Sequence, residues 1–110
     1  MHKMKLHNEP FELIKNGTKT IEMRLYDKKR KLIKVEDKIE FTNRVTGEKI
    51  ITRVIKLHLF NSFKELYDSL DSVSLGYKKN ENVDPSDMEK YCSKEEQSKY
   101  GVVGIEIELI

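Results

Sequence analysis

Gly17-Thr18-Lys19-Thr20-Ile21-Glu22-Met23-Arg24-Leu25 is the stretch on which the reading of this chain turns. From Lys19 to Leu25 it alternates, with Ile21, Met23 and Leu25 on one face and Thr20, Glu22 and Arg24 on the other. A period of two is that of a β-strand with one face on a core. The second face then carries a carboxylate beside a guanidinium, with an ammonium where the strand begins. Three such groups on a rigid element suit recognition of a polar ligand that offers both donors and acceptors. The plainer reading is a solvated strand face whose surface ion pair contributes little. Short charge motifs do not separate the two by themselves.

Working outward, Met4 to His7 reads as a short strand. Asn8 is then a suitable N-cap, with Glu9 and Pro10 in the first turn of a short helix buried through Phe11, Leu13 and Ile14. Gly17 after Asn16 stops that helix, and a strand over Lys19–Tyr26 follows. After a turn at Lys34-Val35-Glu36-Asp37, Ile39 and Phe41 alternate with Lys38, Glu40 and Thr42. Gly47 marks a hairpin connection into a long strand from Lys49 to about Leu59. That strand is apolar on both faces, as a bent strand shared between two parts of a small barrel would be.

The chain then turns helical. Asn61 or Ser62 caps a helix carrying Phe63, Leu66, Tyr67 and Leu70 at helical spacing. Gly76 to Asn82 is polar and reads as a mobile loop. Asp84-Pro85 is a helix start, and Ser93 to Glu96 forms a capping box for another. The last segment alternates cleanly, with Val103, Ile105, Ile107 and Leu109 inward and Glu106 and Glu108 outward. The fold class expected is α+β: a small mixed, mostly antiparallel β-barrel with short helices in its connections.

A chain of 110 residues makes one domain over 1–110 and buries about two-thirds of its unfolded surface, enough for a core without disulfide or metal. The charged fraction of 36% is high, but apolar residues recur in periodic runs, so the chain is not disordered. Cys92 is the only cysteine, which excludes an internal disulfide and fits a reducing cytosol. No apolar run approaches the ~20 residues of a membrane-spanning helix, so a cytoplasmic protein without membrane attachment is expected; the sequence leaves the oligomeric state open, with a monomer as the expectation. The net charge of +2 hides an asymmetry. Residues 1–60 carry 15 Lys+Arg against 8 Asp+Glu, and residues 61–110 carry 6 against 11. The densest basic run is Lys28-Lys29-Arg30-Lys31, directly after the Glu22/Arg24 strand. It is either a solvated loop or a surface for phosphate.

Several chemistries are disfavoured. His2, His7 and His58 are scattered, with no metal-ligand spacing around them, and no metal or other cofactor is expected. His58 in strand context reads as structural or exposed. There is no phosphate-cradling Gly-rich loop. Cys92 has no base near it in sequence and reads as a semi-buried helix residue. Tyr100 before Gly101 places an aromatic at the start of the last strand, where it either packs or stacks on a base.

Taken together, Gly17 to Arg24, Ile33 to Ile39, Phe60-Asn61-Ser62-Phe63 and Tyr100 to Ile105 resemble the ASCH domain family, within the PUA-like barrels. The resemblance spans nearly the whole chain. It implies a small β-barrel with helices beside it and a cleft lined by Lys19, Glu22 and Arg24. It also implies RNA binding, in translation or its regulation. Lys19 and Arg24 would hold phosphate or a base carbonyl, and Glu22 would accept from a base amino group. Tyr26, Ser62 and Tyr100 are further candidates for the cleft, and Lys28, Lys29, Arg30 and Lys31 for an RNA backbone.

One branch of the family hydrolyses acetylated cytidine with a lysine, a threonine and a glutamate. Lys19 matches the lysine, but Glu22 stands where the threonine nucleophile would be, and Thr20 would replace it only in another strand register. The alternative function is therefore a small hydrolase acting on a modified nucleoside or on RNA, with Lys19 and Glu22 as candidate catalytic residues and Glu22 as general base. A third possibility is a protein-interaction module whose polar face is structural. RNA binding predicts strong salt dependence and involvement of Lys28 to Lys31. A nucleoside hydrolase predicts indifference to them and dependence on Glu22.

Overall fold

The computed structural model describes residues 1–110. In chain order the elements are β1 (His2–Leu6), α1 (Asn8–Lys15), β2 (Ile21–Leu25), β3 (Lys38–Asn43), β4 (Lys49–Phe60), α2 (Phe63–Ser69), α3 (Lys94–Tyr100) and β5 (Val102–Leu109). Short 3₁₀ segments occupy Arg30–Leu32 and Pro85–Lys90. The strands form one five-stranded sheet in the order β1-β3-β4-β5-β2. Only β1 and β3 run parallel; the other pairs are antiparallel. The sheet curls into a half-barrel, so the architecture is the small, mostly antiparallel α+β barrel expected from the alternation.

β4 makes the curl. It pairs with β3 through Lys49–Arg53 and with β5 from Thr52 to Phe60, and its register slips between Val54 and Lys56. The extra residue, Ile55, is exposed, and such a bulge bends a strand and increases its twist. That is why β4 needs apolar residues on both faces. The curl brings the two edge strands toward each other, and Arg24 of β2 reaches across to the Lys5 carbonyl of β1 at 3.3 Å. The seam of the half-barrel is thus bridged by a side chain.

Two cores lie on opposite faces of the sheet. Phe11 and Ile14 of α1 close the concave side over Met4, Leu6, Ile39, Phe41, Val103, Ile105 and Ile107. Phe63 and Leu66 of α2 cover the other side with Ile21, Val102, Leu75 and Cys92. β5 is therefore buried on both faces along its first half, whereas the sequence alone pointed to one inward face. Leu109, expected inward, is exposed, and Val102 is sealed under α2.

Local signals held unevenly. Ser62 caps α2 by accepting from the Glu65 amide, and Ser93 and Glu96 form the reciprocal capping box of α3. Asn8, expected as the N-cap of α1, is its first residue instead; its Oδ1 accepts from Asn43 Nδ2 at 3.0 Å, tying the helix to β3. Asp84 does cap, accepting from the Ser86 amide, but the segment it starts is 3₁₀ rather than α. β2 begins at Ile21 rather than Lys19, because the amides of Thr20 and Ile21 both donate to the Ser74 carbonyl instead of to a strand. No helix is long and apolar enough to cross a membrane.

Candidate functional site

The register of β2 on β5 sets Glu22 opposite Ile105 and Arg24 opposite Val103. Directly opposed residues share a face, so both charged side chains project to the concave, core side. Glu22 is 5% exposed and Lys19 7%. The plainer expectation, a solvated strand face, is therefore replaced by a buried ion cluster.

The backbone around Lys19 is pinned from two sides. The amides of Thr18 and Lys19 donate to the Leu13 carbonyl at the end of α1, and those of Thr20 and Ile21 to Ser74 in the loop after α2. Lys19 then runs along Gly76 of that same loop. Gly76 has φ +108°, and a Cβ there would meet Lys19 Cδ at 3.1 Å. Glycine is needed both for the left-handed backbone and for the close approach. The start of the stretch expected as a mobile loop is thus a wall of the site, while Lys78 to Asn82 are exposed.

Glu22 is saturated with donors. Its Oε1 has Lys19 Nζ at 3.1 Å and the Met23 amide at 3.3 Å. Its Oε2 accepts from Arg24 Nε at 3.0 Å and Arg24 Nη2 at 2.8 Å. A carboxylate has about four lone-pair directions, and here all are engaged. Burial pushes the carboxyl pKa up, but the adjacent Lys19 and Arg24 charges and their hydrogen bonds outweigh it and hold it below the ordinary range. Two cations around one anion leave the cluster with a charge of +1. The Arg24 side chain is a quarter exposed, and its Nη1 makes no internal hydrogen bond.

Two open hollows meet at Lys19. One, of about 180 Å³, is walled by Pro10, Leu13, Met23, Gly76 and Tyr77. The other, of about 360 Å³, has Thr20, Thr52, Ile55 and Glu106 on its walls. The first is stiffened by Tyr77, whose hydroxyl lies 2.7 Å from that of Tyr67 in an edge-to-face pair. Burial raises the pKa of both tyrosines, that of Tyr67 furthest.

The other residues named from sequence are dispersed. Tyr26 and Tyr100 share a separate groove of about 400 Å³. Ser62 borders a polar hollow with Asp84 and Gln97, and its hydroxyl is spent on capping α2. Lys28, Lys29 and Lys31 are exposed, but Arg30 is not a free basic group. Its Nη1 pairs with Asp27 Oδ2 at 2.9 Å, and its Nε is sealed without a partner. His58 pairs with Glu106 at 2.8 Å. Burial pushes the Cys92 thiol up, which suits a packing role. Sequence reasoning missed Gly76, Tyr77 and the Lys5 carbonyl. Of these only Gly76 carried a signal, a glycine in a polar stretch.

A family model described as the ASCH domain matches residues 4–110. The chain belongs to the ASCH domain family. Among solved structures it is similar to hypothetical protein PH0355, with 37% identity and a TM-score of 0.77 over 98% of this chain and 97% of that one. It is also similar to protein PF0455 from Pyrococcus furiosus, with 35% identity and a TM-score of 0.73 over 99% and 96%. Protein EF3133 from Enterococcus faecalis V583 shares the fold alone, at 13% identity and a TM-score of 0.64 over 100% of this chain and 76% of that one. No curated protein matches the chain. In this ASCH domain the charged residues of the Gly17–Arg24 stretch thus form one hydrogen-bonded unit on the barrel's concave face.

Proposed function

We propose that this ASCH domain binds RNA or a nucleotide-like ligand, with Lys19 and Arg24 turned to the ligand and Glu22 holding both in place. The observation that carries this reading is the saturation of Glu22. A carboxylate fixed by four donors is a positioning group that orients two cations. The cluster keeps a positive charge, Arg24 keeps an unengaged Nη1, and Lys28, Lys29 and Lys31 lie exposed just beyond β2. The smaller hollow at Lys19, of about 180 Å³, is lined mainly by apolar residues, with Glu9 and Lys19 its only charged groups. Base recognition by Glu22 itself fits less well, since its oxygens are already taken. Its use as a general base fits poorly for the same reason and because its carboxyl titrates low.

One observation favours a second reading, hydrolysis of a modified nucleoside: Lys19, Thr20 and Glu106 border the same hollow. Turnover of an N-acylated cytidine, lost in Thr20→Val, would support it.

The experiment for the main reading is a titration of a short single-stranded RNA against wild type and Lys19→Met at about 50 and 200 mM salt. Affinity should fall with salt, by about 0.7 log units per log unit of salt for each phosphate contacted. Lys19→Met should weaken binding roughly 10- to 100-fold, the loss expected for one hydrogen bond to a charged group. Equal affinity of the two proteins would overturn the reading.

A further inference from the structure

We propose that the groove between Tyr26 and Tyr100 is a base-stacking site for single-stranded RNA, separate from the Lys19 cleft. The proposal rests on the RNA reading above for its ligand, but not on the Lys19 cleft for its contacts. Its first ground is how the two rings are held. The Tyr26 amide donates to the Gly101 carbonyl at 3.0 Å, so the residue carrying one ring is bonded to the neighbour of the other. Gly101 has φ +73°, and a Cβ there would meet the Phe60 carbonyl oxygen at 3.1 Å. Tyr100 is thus fixed at the point where α3 hands over to β5, by a glycine pressed on the end of β4. Both rings flank one open groove of about 400 Å³.

The second ground is charge. Lys31 Nζ lies over the Tyr26 ring at 5.7 Å from its centroid, and Lys99 Nζ over the Tyr100 ring at 5.1 Å. Each aromatic therefore has its own cation, Lys99 within the lining of the groove and Lys31 outside it beside Tyr26. Aromatic faces interleaved with lysines are how proteins hold single strands: bases stack on the rings and phosphates meet the cations. Cation–π contacts alone are weak at exposed sites, so an incoming base can displace the ammonium from the ring face and leave it to meet a phosphate. Leu59 on the rim is 54% exposed, an apolar surface suited to the face of a base. The one acid in the groove, Glu65, is already engaged by the Asn61 amide at 3.1 Å.

The third ground is direction. Tyr26 follows Arg24 by two residues, a step of about 6.7 Å along an extended chain. Residues two apart share a face of an extended chain, so one RNA strand can meet Arg24 with a phosphate and Tyr26 with a base. A duplex, whose bases are already stacked on one another, offers no faces to these rings.

The test uses the full chain with a short labelled single-stranded RNA and the duplex of the same sequence. The variants are Tyr100→Ala, Tyr26→Leu, Lys99→Ala/Lys31→Ala and Lys19→Met, each checked for a cooperative melt. Tyr26→Leu keeps the bulk that packs on the core while removing the aromatic face. Because the chain has no tryptophan and five tyrosines, tyrosine emission provides a second readout. Single-stranded RNA should quench it, and less so in Tyr100→Ala. Loss of one stacked base should weaken single-strand binding roughly 5- to 150-fold, with the duplex bound no more tightly than the single strand. If the tyrosine variants weaken binding and Lys19→Met does not, the groove stands and the cleft reading fails. If Lys19→Met weakens binding and both tyrosine variants bind as wild type, the groove proposal is overturned and the cleft reading stands. Preferential binding of the duplex, of a peptide in place of RNA, or of no RNA at all overturns it as well.

Discussion

Replacing Glu22 by Gln keeps the shape of the side chain and removes the anion that two cations share. Lys19 is the more deeply buried of the two, while the Arg24 side chain is a quarter exposed and can turn toward water. Taking one partner out of a buried ion pair costs about 3–5 kcal/mol, because the remaining charge is left uncompensated. Relaxation of Arg24 sets the expectation at the lower end, about 3 kcal/mol. At about 2.1 cal/mol/K per residue, a chain of 110 residues melts with an entropy of about 0.23 kcal/mol/K, so the melting temperature should fall by about 13 °C. Lys19→Met/Glu22→Gln removes both ends of the most buried contact and should recover at least ~1 kcal/mol relative to additivity. The effect also has a pH signature. The folded-state pKa of Glu22 is lowered, so its stabilisation is complete above the unfolded value of about 4.3 and is lost as pH falls through the folded one. Wild type and Glu22→Gln should therefore differ most at neutral pH and converge in acid. Thermal and urea unfolding at several pH values measures all of this. A Glu22→Gln protein within ~0.5 kcal/mol of wild type at pH 7, the range of an ordinary surface change, would refute the buried-cluster argument.

Gly76→Ala should destabilise the fold by about 1–3 kcal/mol, since it adds left-handed strain and a clash with Lys19. Gly47→Ala, at φ +77° with nothing within 4 Å, should cost only the strain, about 1–2 kcal/mol; urea melts distinguish the two, and RNA affinity should drop only for Gly76→Ala. The raised folded-state pKa of Tyr67 makes its contribution complete below the unfolded value of about 10 and lost as pH climbs toward the folded one. Wild type should therefore lose stability above pH ~10 more steeply than Tyr67→Phe, as alkaline unfolding followed by far-UV circular dichroism will show. Ser93→Ala removes one half of the α3 capping box and should cost about 1 kcal/mol in a denaturant melt.

The strands were legible because alternation is a local property. Lys38–Asn43, the long β4 and the closing β5 all follow from period-two patterning, and the capping chemistry of Ser62 and Ser93 is read within four residues. The burial of Glu22 was not legible. Alternation separates two faces but does not say that both are covered. Here α2 returns over one face of β2 and β5 while α1 and the curl of β4 close the other. The same curl makes the Arg24–Lys5 bridge, a contact between opposite sheet edges that no local pattern encodes. Gly76 read as loop punctuation because its partner, Lys19, lies far away in sequence. Asn8 failed as a cap because a tertiary partner, Asn43, competes for its side chain. The basic run misled in part. Composition cannot show that Arg30 folds back on Asp27 while its lysine neighbours face solvent.

The most direct test of the RNA-binding account is an amide chemical-shift map of the full chain titrated with a short single-stranded RNA. The account predicts saturable shifts concentrated at Lys19 to Arg24, Gly76 and Tyr77, with Tyr26, Tyr100 and Gly101 joining them through the second groove. Shifts confined to the exposed face of α1 or to Pro85–Lys90, with Lys19 to Arg24 unmoved, would contradict it.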